Sequence, residues 1–179
     1  RSVTIEYEGQ VAELNTTPLT SVALMGLLSP LLDTVNMVNA PVIAKERGIA
    51  ITEVRREAAG DYQTQIRLSV TTETQTRTVA GTLFAGVRPR IVEVKGISMD
   101  AELAPHMLYI TNRDKPGLIG ALGMLMGDAG INIATFHLGR ADEGGDAIAL
   151  IETDGPTPPE LLEKITALEH VVTTVPMTF

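Results

Sequence analysis

Asn112, Asp114 and Gly117 are the residues of this chain whose types and spacing best support chemistry. They fall in residues 112–120, where a β-prone run ends, polar side chains project from a loop, and a helix begins on small residues. The first turn of a helix leaves backbone N–H groups unpaired and carries partial positive charge, so it holds carboxylates and other anions. A glycine at 117 lets a ligand come close to that backbone. Asn112 and Asp114 add acceptor oxygens suited to an ammonium group, and Asn132 on the following strand can supply a further contact. An anion site beside such acceptors is what a free amino acid requires. Charge-assisted hydrogen bonds contribute about 1.5–3 kcal/mol each, so a few of them hold a small zwitterion. Plainer roles compete for the same residues: Asp114 as a helix cap, Asn112 as a turn residue, Asn132 as a solvated side chain.

Other constellations carry less. Gly117, Gly120 and Gly123 are spaced G-x-x-G-x-x-G rather than G-x-G-x-x-G, and no acidic residue about 20 positions on ends a second parallel strand. Their expected use is a smooth helix face for close packing. His106, His137 and His170 lie far apart, with no spacing that sets a metal, so no metal ligand is assigned. His106 and His137 read as structural or surface residues, and His170 suits the C-terminal dipole of the helix before it. No nucleophile stands beside a base, so no catalytic residue is assigned. Arg88, Arg90 and Lys95 lie close in sequence, as do Arg55 and Arg56. Such charges are usually only solvated; the functional alternative is a phosphate or carboxylate site, whose oxygens match the guanidinium fork.

Behind these residues stands a chain of 179 residues, 44% apolar, long enough for one large or two small domains. With 3% aromatics and no Trp, its core must be built from aliphatic side chains and Met. Residues 1–100 hold 11 acidic and 10 basic side chains, whereas residues 101–179 hold 11 acidic and 4 basic. A half that acidic repels nucleic acid and anionic lipid, so neither is expected as a partner. No apolar run approaches the roughly 20 residues of a membrane span. The absence of cysteine rules out disulfides and fits the cytoplasm. The sequence opens directly on an alternating strand at residues 3–9, which suggests a piece of a longer protein.

The elements follow from pattern. In the first half, Thr17-Pro18 opens a helix carrying Leu19, Val22, Ala23 and Met25, and Asn39-Ala40-Pro41 opens a shorter one ending at Gly48. Strands are expected near 49–54, 63–71, 77–84 and 90–94, then a linker at 101–105. In the second half, β-prone runs at 107–111, 131–138, 147–151 and 171–179 alternate with two helices. Pro116 is placed at the first position of one helix. Thr157 and Glu160 form a capping box for the other. The order β-α-β-β-α-β predicts a ferredoxin-like fold with both helices on one face of an antiparallel sheet.

Asn112-Arg113-Asp114-Lys115-Pro116-Gly117, with Ala129-Gly130-Ile131-Asn132-Ile133, resembles the ACT domains of amino-acid metabolism. The stretch Val38-Asn39-Ala40-Pro41-Val42-Ile43-Ala44-Lys45-Glu46-Arg47-Gly48-Ile49 is similar to a segment of bacterial D-3-phosphoglycerate dehydrogenases, and Gly81-Thr82-Leu83-Phe84 and Arg90-Ile91-Val92-Glu93-Val94 continue the likeness. The resemblance covers nearly the whole chain. It implies an α+β chain of two domains: an α/β intervening domain at 1–102, then a ferredoxin-like βαββαβ ACT regulatory domain at 103–179. It implies L-serine or a similar amino acid as effector, held by Asn112, Asp114 and Asn132 with backbone N–H groups of Gly117 and Leu118, and Asn132 reaching in from a partner subunit of a homo-oligomer. It places an anion-binding basic residue at Arg90, while Ile97 and Glu102 stand where further basic residues are hoped for. NAD and the catalytic His belong to N-terminal domains outside this sequence, so the fragment itself is expected to hold no cofactor. Two rivals stay open: the ACT-containing part of an L-serine dehydratase, and an ACT domain serving only as an oligomerisation module.

Overall fold

The computed structural model describes residues 1–58 and 60–179 and divides into two compact units, 1–88 and 89–179. In the first, the opening alternation makes β1 (Ser2–Gly9), which buries Val3, Ile5 and Tyr7 on one face. Two helices follow, α1 (Thr17–Leu28) and α2 (Ala40–Glu46), each with Pro in its first turn, where the missing N–H costs no helical bond. Then come β2 (Ala50–Arg56), β3 (Thr64–Thr71) and β4 (Thr76–Phe84). Within the unit the strand order is β2-β1-β3-β4. β2 runs parallel to β1 because the helices carry the chain across between them, whereas β1–β3 and β3–β4 are antiparallel.

Of the apolar residues expected on α1, Leu19, Ala23 and Met25 pack partly buried against the core. Thr20, Leu24 and Leu28, spaced by four, are the helix's buried residues, while Val22 is 45% exposed. A helix apolar around most of its circumference has no face that hydrophobicity alone selects. Thr20 turns inward because its hydroxyl has partners there: it donates to Glu53 Oε1 on β2 and accepts from the Tyr7 hydroxyl at 2.7 Å.

In the second unit β5 (Arg88–Val94) and β6 (Ile97–Glu102) form a hairpin over the two-residue turn Lys95-Gly96, both at positive φ, as a type I′ connection requires. β6 corrects the expected linker: only residues 103–105 remain outside a strand before β7 (His106–Arg113). The hexapeptide Ile97-Ser98-Met99-Asp100-Ala101-Glu102 does alternate, and it buries Ile97, Met99 and Ala101. α3 (Leu118–Asp128), β8 (Ile133–Arg140), β9 (Asp146–Thr153), α4 (Pro159–Thr166) and β10 (Val171–Thr178) complete the unit. The sheet order is β10-β7-β9-β8, with every pairing antiparallel. This is the ferredoxin-like arrangement.

Leu118, Leu122 and Met126 of α3 and Leu161 and Ile165 of α4 pack on Leu108, Ile110, Ala149 and Ile151, which form one face of the sheet. On the other face Ile97, Met99 and Ala101 of β6 cover Met107, Ile148 and Leu150. With both faces covered, β9 buries residues 147–151 without interruption, and its apolar run loses the alternation of a half-exposed strand.

Both helix starts differ in detail from expectation. α3 begins after Gly117, its N-cap at φ 101°, so Pro116 lies outside the helix. α4 begins at Pro159 with Pro158 as N-cap and no side-chain cap, so the capping box of Thr157 does not form.

Candidate functional site

β7 delivers Asn112 to the end of the sheet, and the loop that follows turns through Asp114 into α3. Asn112 is 3% exposed. Its Nδ2 donates to the Arg113 carbonyl at 2.8 Å, while its Oδ1 is buried with no hydrogen-bond partner among the described residues. A buried carbonyl left in that state costs about 1–3 kcal/mol, which a donor brought by a ligand would recover.

Asp114 does not cap α3. Its backbone N–H donates to Gly145 O at 2.8 Å, which fastens the loop to the turn between β8 and β9. Its Oδ2 accepts from Arg140 Nη1 at 2.9 Å and from the Gly144 N–H at 3.2 Å. The Arg140 hydrogen bond, with Gly144 next, holds the carboxyl below the ordinary Asp range, so Asp114 is a fixed negative charge.

The first intrahelical bond of α3 runs from Ala121 N–H to Gly117 O at 2.9 Å. The N–H groups of Leu118, Ile119 and Gly120 therefore have no acceptor within the helix. Asn112, Asp114, Gly117 and Leu118 line one pocket of about 560 Å³, together with Lys115, Ile119, Leu138, Arg140, Glu143 and Gly144. The structure thus brings four of the five expected effector residues together.

Asn132 is not among them. It precedes β8 at the opposite end of the sheet, level with Thr153 and His106, and its Nδ2 donates to Asp154 at 3.0 Å. Arg140, Glu143 and Gly144 were not foreseen in the pocket. The available signal was charge: Arg140 is one of only four cations in an acidic half, and it directly precedes a turn.

The basic residues of the other expected site are engaged separately. Arg88 lies over the Phe84 ring, 5.1 Å from its centre. Arg90 donates to Asp100 at 2.8 Å and to Glu102 at 2.7 Å, so two carboxylates from β6 take up its charge. Lys95 lies 5.6 Å from the centre of the Tyr109 ring. Each of the three thus has its own contact within the chain. The glycines of α3 are also not a packing face inside this chain: a Cβ at Gly120 or Gly123 would meet nothing within 4 Å.

The comparisons with known proteins agree with this geometry. Residues 106–170 match the ACT domain, so the βαββαβ part of the second unit is a domain of that class, carrying its pocket where β7 meets α3. Residues 1–95 match the D-3-phosphoglycerate dehydrogenase intervening domain, and the chain belongs to the D-3-phosphoglycerate dehydrogenase family. It is 38% identical over 173 residues to the D-3-phosphoglycerate dehydrogenase of Bacillus subtilis (strain 168), an alignment covering 96% of this chain and 33% of that protein. The corresponding enzyme of Synechocystis sp. (strain ATCC 27184 / PCC 6803 / Kazusa) is 37% identical over 171 residues, covering 94% of this chain and 31% of that one. That of Methanocaldococcus jannaschii is 33% identical over 170 residues, covering 94% and 32%. The chain spans about a third of the length of the curated relatives it matches.

Proposed function

We propose that this chain is the regulatory part of a cytoplasmic, NAD-dependent D-3-phosphoglycerate dehydrogenase of serine biosynthesis, and that its ACT domain binds L-serine as an allosteric effector. The observation that carries the reading is the buried, unpartnered Oδ1 of Asn112 in the same pocket as the Asp114 carboxylate and the open first turn of α3. The ammonium goes to Asn112 and Asp114, and the carboxylate goes to the N–H groups of Leu118 and its neighbours. Asn132 is too far along the sheet to join within one chain, so in this reading a second copy supplies it across a subunit interface. Serine bound across that interface favours one arrangement of the subunits, and the intervening domain carries the bias toward an active site and NAD held elsewhere in the enzyme. The shift can be no larger than the difference in serine affinity between the two arrangements.

Isothermal titration with L-serine, with glycine and D-serine as controls, tests this. Saturating heat for L-serine alone supports a stereospecific effector site. No heat at millimolar serine favours a second reading, in which the domain only joins subunits. For that reading the relevant observation is the exposed apolar surface of α3 and β8, where Ile119 is 56%, Met124 72% and Leu138 42% exposed.

A further inference from the structure

Lys115 and Arg140 line the proposed effector pocket, although residues 101–179 contain only four basic side chains. Of the other two, Arg113 is paired with Asp146, and Lys164 lies in α4. Half of the positive charge of an acidic region is thus gathered at one pocket, beside Asp114 and Glu143.

Arg140 is the better placed of the two. It ends β8, and one of its nitrogens donates to Asp114 Oδ2, the same oxygen that Gly144 N–H uses. A guanidinium carries five N–H donors in a planar fork, and the side chain is 58% exposed, so donors remain toward the open side of the pocket. Those donors and the unpaired N–H groups of α3 belong to a single pocket.

Resting on the amino-acid reading of this site, we propose that Arg140 is its specificity-determining residue: it joins the first-turn N–H groups of α3 in holding the effector's carboxylate while remaining beside Asp114, which takes the ammonium. The pocket thereby selects small molecules that carry both charges. Lys115 and Arg140 already balance Asp114 and Glu143, so an amine without a carboxylate would leave the pocket with one cation in excess. A carboxylate without an amine would lie against Asp114 and compete with it for the same guanidinium. Only a zwitterion leaves every charge in the group with an opposite neighbour. The depressed titration of Asp114 agrees with this, since that carboxylate stays ionised and cannot itself serve as a donor to an acid.

The test is titration of the unaltered chain, R140Q and R140K with three probes: L-serine, L-serinamide (no carboxylate) and L-glycerate (no amine). The unaltered chain should bind L-serine and discriminate against both analogues. R140Q should lose roughly tenfold or more in L-serine affinity and most of its preference for serine over serinamide, a ratio that a merely structural role would not move. R140K keeps a cation for Asp114 but not the fork, and should bind L-serine about threefold or more weakly, which decides the matter if R140Q does not fold. Serine affinity in R140Q, or in R140K where that variant decides, that stays within about twofold of the unaltered chain would overturn the role of Arg140 and leave the amino-acid site standing. No heat from the unaltered chain with any probe would instead remove the amino-acid reading itself, and this inference with it.

Discussion

Single residues in both units act through charges held by neighbours remote in sequence. In the first unit Glu53 accepts from the hydroxyls of the buried Thr16, which precedes α1, and of Thr20 within it, and Arg55 donates to Thr16 Oγ1 and to Glu53. The Thr20 proton goes to Glu53, so the Tyr7 hydroxyl must donate to Thr20, which leaves Glu53 as the acceptor at the end of the chain of bonds. The Thr20 bond is the main reason the Glu53 carboxyl titrates below its ordinary value. Glu53→Gln, which offers one oxygen where there were two, should destabilise the chain by about 1–3 kcal/mol in urea unfolding. Because the folded pKa is depressed, this stabilisation is complete above the unfolded carboxylate pKa and is lost as pH falls through the lower, folded one. The difference between the original and Glu53→Gln should therefore shrink in acid.

Asp114 obeys the same sign rule in the second unit. Its pairing with Arg140 and Gly144 outlasts the ordinary Asp range, near a pKa of about 3.9, as pH is lowered. L-Serine affinity, measured by titration at stepped pH, should stay level through mild acid and fall only below that range. A fall centred near the pKa of His, about 6.5, would point to a different group.

Among elements, the contact of β6 with β8 is sensitive to a single methyl group. A Cβ at Gly139 would lie 2.6 Å from Ser98 O and 2.7 Å from Ile97 Cγ2, so the two strands meet there backbone against backbone. Gly139→Ala should cost about 1–3 kcal/mol in thermal or urea unfolding, since a strand backbone cannot give way as a flexible side chain does. The neighbouring strand end carries Arg140, so the same substitution tests whether the pocket depends on how β8 is seated. The expected result is weaker L-serine binding alongside the lower stability.

At the scale of the whole molecule, each unit has its own core. The first gathers Val3, Ile5, Tyr7, Leu24 and Leu28 with Ala40 and Ala44. The second is layered, with helices on one face of its sheet and the β5–β6 hairpin on the other. A polypeptide of residues 89–179 should therefore fold by itself. One of residues 103–179 lacks the hairpin and lays bare Met107, Ile148 and Leu150, each worth about 1.5–3 kcal/mol when fully buried. It should unfold at clearly lower urea or aggregate. Equal midpoints for the two would show that the hairpin does not belong to this core.

Local chemistry made much of this legible from sequence. Period-two and helical apolar patterns, with Pro and Gly as breakers, were enough to place the βαββαβ order, because those patterns repeat within a few residues of chain. The pocket-lining loop at 112–118 was legible for the same reason: acceptors, a glycine and a helix start are adjacent. Tertiary structure decided what depends on distant partners. It chose the Thr20 face of α1, where apolarity was nearly uniform and the Glu53 carboxylate on β2 supplied the preference. It closed the site with Arg140, 26 residues from Asp114 along the chain. It also paired Arg90, expected at an anion site, with Asp100 and Glu102. Asn132, grouped with Asn112 on residue type, went to the far end of the sheet because β7 and β8 run the same way with a helix between them. Burial and charge pairing are properties of neighbours in space, and a one-dimensional pattern carries them only where those neighbours are also close along the chain.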